Sequence, residues 1–159
     1  MIPFHRLCPE VAKREIRCVH VGASPDPQIE QCLPADEYAF LEFYCAKPNC
    51  DCRRAFLQVI RKGEPDRILA SIEYGWEKES FYRNHFYDEE DARQTVRGRL
   101  DPINEQSEFA REFLEMFQQL VLDVPYSLRL RRHYRMFKEE AARNPEKLNA
   151  QPEQAKIQQ

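Results

Sequence analysis

Three cysteines fall within the eight residues Cys45-Ala46-Lys47-Pro48-Asn49-Cys50-Asp51-Cys52. They lie between two segments that alternate like β-strands. In residues 37–45, Ala39, Leu41, Phe43 and Cys45 share one face at period two, and Tyr38, Phe40, Glu42 and Tyr44 share the other. In residues 53–61, Ala55, Leu57 and Val59 alternate with Phe56, Gln58 and Ile60. A hairpin between these strands brings Cys45 and Cys52 together, and a turn containing Pro48 and Asn49 folds Cys50 toward them. Zinc takes a tetrahedron of four ligands with sulfur at about 2.3 Å, so thiols converging on one turn read as a metal staple. In a straight strand Cys50 and Cys52 would stand roughly 6.6 Å apart, too far to share an ion. The pattern therefore requires a bend at Asp51.

The other cysteines, Cys8, Cys18 and Cys32, are isolated. Residues Met1 to Arg6 lack the apolar run of a signal peptide, and no segment approaches the roughly 18 apolar residues of a membrane span, so a cytoplasmic address is expected. Thiols stay reduced there, which favours metal over disulfides. Two other readings stand beside zinc: a redox pair at Cys50 and Cys52, and three incidental buried thiols. Arg53 and Arg54 would lower a thiol pKa and offset thiolate charge, but they serve zinc and redox chemistry equally. The net charge of −3 argues against a chain built to coat nucleic acid.

The 159 residues fit one domain, here expected over residues 1–143. Residues 14–21 read as a first strand and 22–35 as loop. The segments 37–45, 53–61 and 67–74 form an antiparallel meander, the last two joined by Lys62-Gly63-Glu64-Pro65-Asp66. Asp88-Glu89-Glu90-Asp91 starts either a short helix to about Val96 or an acidic solvated turn. Helices are expected over 107–122, with Ser107 as N-cap, and over 125–142 from Pro125. Phe109, Phe113, Met116, Phe117 and Leu120 recur at helical spacing in the first; Tyr126, Leu130, His133 and Phe137 form a narrow stripe on the second. Residues 144–159, polar and rich in Gln, Glu, Lys and Pro, read as a disordered tail. The fold class that follows is α+β: a small antiparallel sheet of three to four strands against two C-terminal helices.

A fourth ligand is not evident from spacing. Candidates are His133, Cys32, Cys18, His20, His85, Cys8 and His5. His133 leads, because an imidazole within an apolar stripe needs partners for its nitrogens and a metal would supply one. The competing reading is a hydrogen-bonded core histidine. Water or substrate in the fourth position would make the centre catalytic. Arg129, Arg131, Arg132 and Arg135 read as a solvated helix side with cations pairing Glu139 or Glu140, in preference to a phosphate or nucleic-acid face. Trp76, Phe81, Tyr82, Phe86 and Tyr87 read as core under the helices in preference to a partner-binding patch. Phosphate-cradling glycine loops and hydrolase motifs are absent from the sequence.

Phe40-Leu41-Glu42-Phe43-Tyr44-Cys45 followed by Cys50-Asp51-Cys52-Arg53-Arg54 resembles a group of uncharacterised bacterial proteins with a tyrosine-cysteine strand end and a Cys-Asp-Cys step. Leu100-Asp101-Pro102-Ile103-Asn104-Glu105-Gln106-Ser107, Arg132-His133-Tyr134 and Phe137-Lys138 are similar to later signatures of that group. The resemblance spans roughly residues 38 to 138. It implies a coherent domain and a bacterial source, adds weight to His133, and carries no activity. The expectation is thus a zinc protein with metal ligands Cys45, Cys50, Cys52 and His133, its zinc structural, acting as a non-enzymatic module for a protein partner. The alternative is a zinc-dependent hydrolase or a thiol redox enzyme using the same cysteines.

Overall fold

A computed structural model describes residues 1–25, 32–85 and 87–149. The protein is α+β, with a six-stranded antiparallel sheet. The strands are β1 (Ile2–Pro3), β2 (Arg17–Val21), β3 (Asp36–Tyr44), β4 (Arg54–Arg61), β5 (Glu64–Gly75) and β6 (Arg99–Leu100). The helices are α1 (Phe4–Leu7), α2 (Pro9–Glu15), α3 (Glu79–His85), α4 (Glu89–Arg97), α5 (Ala110–Met116), α6 (Val124–Arg143) and α7 (Glu146–Asn149), with a π-helical turn Phe117–Val121 between α5 and α6.

The expected meander is its centre, β3-β4-β5, with Phe40 opposite Val59 and Leu57 opposite Ile72. The sheet is larger than three or four strands because short segments without periodicity complete it. β1 and β2 both pair along one side of β3, Ile2 opposite Tyr44 and Arg17 opposite Phe40. β6 pairs with β5 through Leu100 opposite Ile72. β5 begins at Glu64 and carries Pro65; the pairing slips between Val59 and Arg61, a bulge that accommodates it.

One sheet face carries Tyr38, Phe40, Tyr44, Ala55, Leu57, Val59, Ala70 and Ile72, all buried against Phe113, Phe117, Val121, Tyr126, Leu130 and Phe137. The long C-terminal helix starts where the Asp123 carboxylate accepts from the Tyr126 amide at 2.7 Å, an N-cap one residue before Val124 and Pro125. Asp88 caps α4 the same way through Asp91, which settles that segment as helix. Ser107 is not an N-cap of α5. Its hydroxyl donates to the Leu69 carbonyl and accepts from the Phe109 amide, fastening the approach to the sheet edge before the helix begins at Ala110.

Three expectations are corrected. Residues 9–15 form α2, so the first strand is only Arg17–Val21; Pro9 stands at the permitted start of that helix. The 107–122 segment is a shorter helix ending in a π turn. The polar 144–149 stretch contains α7, tied back by Lys147 on Glu140 at 2.9 Å. The rest of the expected tail lies outside the described residues, as does the 26–31 part of the expected loop.

Candidate metal centre

Hydrogen bonding of β3 stops at Tyr44 and that of β4 starts at Arg54, so residues 45–53 form a loop between neighbouring strand ends. The Cys50 amide donates to the Lys47 carbonyl at 3.2 Å, closing a turn over Pro48 and Asn49. Arg53 has φ +47, the one left-handed non-glycine residue among those described. That left-handed residue falls just past Cys52. The result is that the ligand atoms of Cys45, Cys50 and Cys52 lie within 4.8 Å of one another. Two bonds of about 2.3 Å at a tetrahedral angle put sulfurs near 3.8 Å apart, so modest side-chain tightening would close the group on one ion. All six cysteines are free thiols. The group could hold a metal ion.

The loop is held through its carbonyls by side chains from α6 and α3. Lys138 Nζ donates to the Lys47 carbonyl at 2.7 Å and the Cys45 carbonyl at 3.3 Å. The Tyr134 hydroxyl reaches the Cys50 carbonyl at 3.4 Å. The Tyr82 hydroxyl donates to the Arg53 carbonyl at 2.7 Å and accepts from the Glu77 amide at 3.1 Å. Gly75 makes room for Tyr82, since a Cβ there would stand 2.4 Å from the ring.

The thiols are electrostatically unequal. Burial works to raise the Cys45 thiol, but the Lys47 amide, the Cys50 and Cys52 thiols and the Lys138 charge outweigh it and hold it below its usual value. Burial raises Cys52 to about 11 against the attraction of Arg54, with Cys50 and Cys45 adding to the rise. The Arg53-Arg54 pair thus does less for the thiols than its adjacency suggests. Arg54 is committed to Glu73, and Arg53 to Asp51 at 2.7 Å and Glu77 at 3.5 Å. Cys52, so raised, is protonated at neutral pH, and a metal would displace that proton on binding.

His133 is not brought to this group. It is buried with Nδ1 2.7 Å from Glu42 Oε2 and Nε2 3.2 Å from Glu15 Oε2, while its ring stacks on Phe4 at 4.4 Å. Glu42, itself buried, also accepts from the Tyr44 hydroxyl at 2.7 Å. Both imidazole nitrogens are engaged by carboxylates, which satisfies the histidine as a core residue. The imidazole of the apolar stripe finds its partners in two carboxylates and not in the thiol group. Glu42 shares the core face of β3, and an acid among Tyr38, Phe40 and Tyr44 was the available signal. Of the other candidates, Cys18, Cys32, His20 and His5 are exposed, and Cys8 lines a separate hollow with Leu7, Pro9 and Met136. The side chain of His85 lies outside those described. No further His, Cys, Asp or Glu joins the three thiols among the described residues.

The arginines of α6 divide. Arg129 and Arg132 pair with Glu15 on α2, rather than with Glu139 or Glu140. Arg131 and Arg135 face a cleft of about 390 Å³, where Trp76 also stands half-exposed instead of lying under the helices. No described helix is long and apolar enough to cross a membrane. Compared with known proteins, the chain matches no family model, no curated protein and no solved structure.

Proposed function

We propose that this protein is a small zinc-binding module whose ion staples the β3–β4 loop and keeps a surface in shape for a macromolecular partner. The observation that carries this reading is the convergence of three thiols from a nine-residue loop onto a region 4.8 Å across. Soft thiolates select zinc and related ions over magnesium or calcium. The loop sits at the end of a large core, which suits a structural role in which the metal tightens a surface already supported by α6.

A second reading draws on a different observation, that the group contains three protein ligands among the described residues. A fourth position filled by water is the arrangement of catalytic zinc, and would favour a zinc-dependent hydrolase. A thiol redox role for Cys50 and Cys52 is less well supported, because Cys52 is fully buried and its thiol is raised to about 11.

Elemental analysis of purified protein, together with cobalt substitution, tests the proposal. The expected result is about one metal per chain, a thiolate-to-cobalt charge-transfer band, and loss of both in Cys50→Ser. Full zinc content and an unchanged melting temperature in Cys50→Ser would remove the centre. Exchange of a cobalt-bound water for added cyanide or azide would favour catalysis.

A further inference from the structure

Beside the thiol loop, and independent of whether it holds metal, lies a cleft of about 390 Å³ lined by Asp51, Arg53, Trp76, Glu77, Leu128, Arg131, Tyr134 and Arg135. Its size falls within the usual range for small-ligand sites, roughly 300–1,000 Å³. Three elements build it. The loop contributes Asp51 and Arg53, whose side chains line the cleft while Cys52 between them is buried. The segment that follows β5 contributes Trp76 and Glu77. On α6, Leu128, Arg131 and Arg135 follow at helical spacing along one face.

The lining has two chemistries. Trp76 packs edge to face on Tyr134 at 5.3 Å, and Leu128 is 57% exposed. Those surfaces offer a flat apolar contact. The charged groups do not cancel. Glu77 is shared between Arg53 at 3.5 Å and Arg131 at 3.8 Å, and Asp51 is taken by Arg53 at 2.7 Å. Arg135 has no carboxylate within ion-pair distance among the described residues. Three guanidiniums against two carboxylates leave one positive charge in excess, located at the α6 wall. Guanidinium binds phosphate and carboxylate in a planar, bidentate fashion, and an arginine with a weak or absent partner has donors to give. Arg53, left-handed and with its carbonyl bonded by the Tyr82 hydroxyl, stands on the loop side of the cleft.

We propose that this cleft binds a small molecule made of a flat ring joined to one oxyanion, with the oxyanion on Arg131 and Arg135 and the ring against Trp76, Tyr134 and Leu128. The oxyanion is a phosphate or a carboxylate, since the same donors accept both.

Trp76 is the sole tryptophan, so its fluorescence reports on this cleft alone. The full-length protein is titrated with adenosine monophosphate, phenylacetate, adenosine and inorganic phosphate, following Trp76 emission and heat. Either adenosine monophosphate or phenylacetate is expected to bind saturably with Kd below about 1 mM, the two arms distinguishing phosphate from carboxylate. Adenosine is expected to be at least about tenfold weaker, and Arg131→Ala and Arg135→Ala to weaken the better ligand by a similar factor, the loss of a charge-assisted hydrogen bond. Both arginines are exposed, so neither variant threatens folding, and Arg143→Ala, on a remote turn of α6, serves as the unchanged control. The proposal fails if neither anion binds, if the arginine variants bind as tightly as the native protein, or if heat appears without a Trp76 response. Inorganic phosphate binding as tightly as the better ligand would overturn the part assigned to the aromatic wall.

Discussion

Replacing Gly75 with alanine probes the support of the thiol loop without touching a thiol. The new Cβ would stand 2.4 Å from the Tyr82 ring and from its hydroxyl oxygen, so the ring must retreat by about 1 Å to reach ordinary contact. Tyr82 has nowhere easy to go, since it is fully buried and its hydroxyl is held between the Arg53 carbonyl at 2.7 Å and the Glu77 amide at 3.1 Å. A displacement of that size breaks both hydrogen bonds. Overpacking costs about 1–3 kcal/mol and each lost hydrogen bond about 1 kcal/mol, giving about 3–5 kcal/mol in all. Arg53 adjoins Cys52, so the loss extends to the loop, and any metal affinity of the thiol group is expected to fall along with stability. Urea denaturation of native protein, Gly75→Ala, Tyr82→Phe and the double variant measures it. The hydrogen-bond share is already gone in Tyr82→Phe, so adding Gly75→Ala there should cost about 1–2 kcal/mol less than in the native background. A Gly75→Ala protein as stable as the native one, with unchanged metal affinity, would show that the Gly75–Tyr82 contact does not support the loop.

His133→Phe keeps the ring on Phe4 but leaves the buried Glu42 with the Tyr44 hydroxyl and without the imidazole, at about 1–3 kcal/mol, and Glu42→Leu in the same chain should restore part of that; metal content is expected to stay unchanged, whereas metal loss in a folded His133→Phe would return the histidine to the centre. Burial acts to raise the Glu15 carboxyl, but the His133 hydrogen bond and the charges of Arg132, His133 and Arg129 hold it below its usual value. Its stabilisation is therefore fully present above the ordinary carboxylate range and lost as pH falls through the lower folded value. Glu15→Gln should flatten the acid limb of a stability-against-pH curve, and an unchanged limb would count against the pairing.

Period-two alternation made the β3-β4-β5 meander legible, and with it the place where the cysteines meet, because a hairpin joins whatever flanks its turn. Apolar spacing likewise marked α6. What could not be read was set by partners distant in sequence. β1 and β6 are two residues each, too short for any period, and exist because β3 and β5 offer open hydrogen-bonding edges. Gln106 extends the same logic with a side chain, donating to the Ser71 carbonyl and accepting from its amide at 2.9 and 3.0 Å. His133 was visible as a histidine in need of partners, but Glu15 and Glu42 are 118 and 91 residues away.

The same distant contacts bear on what a bound metal would do. The carbonyls of Cys45, Lys47, Cys50 and Arg53 are all taken by Lys138, Tyr134 or Tyr82, groups that belong to the helices. A zinc finger too small for a core unfolds when stripped, whereas this loop hangs on a sheet buried by α5 and α6. A bound metal would then add stability by mass action, about 2.7 kcal/mol at a free concentration a hundredfold above its Kd, on top of the stability of that core. Chelation should lower the melting temperature by several degrees while far-ultraviolet circular dichroism stays native at 25 °C. Collapse of the β-sheet signal on chelation would mean that the loop takes its shape from the ion, and the helices only follow.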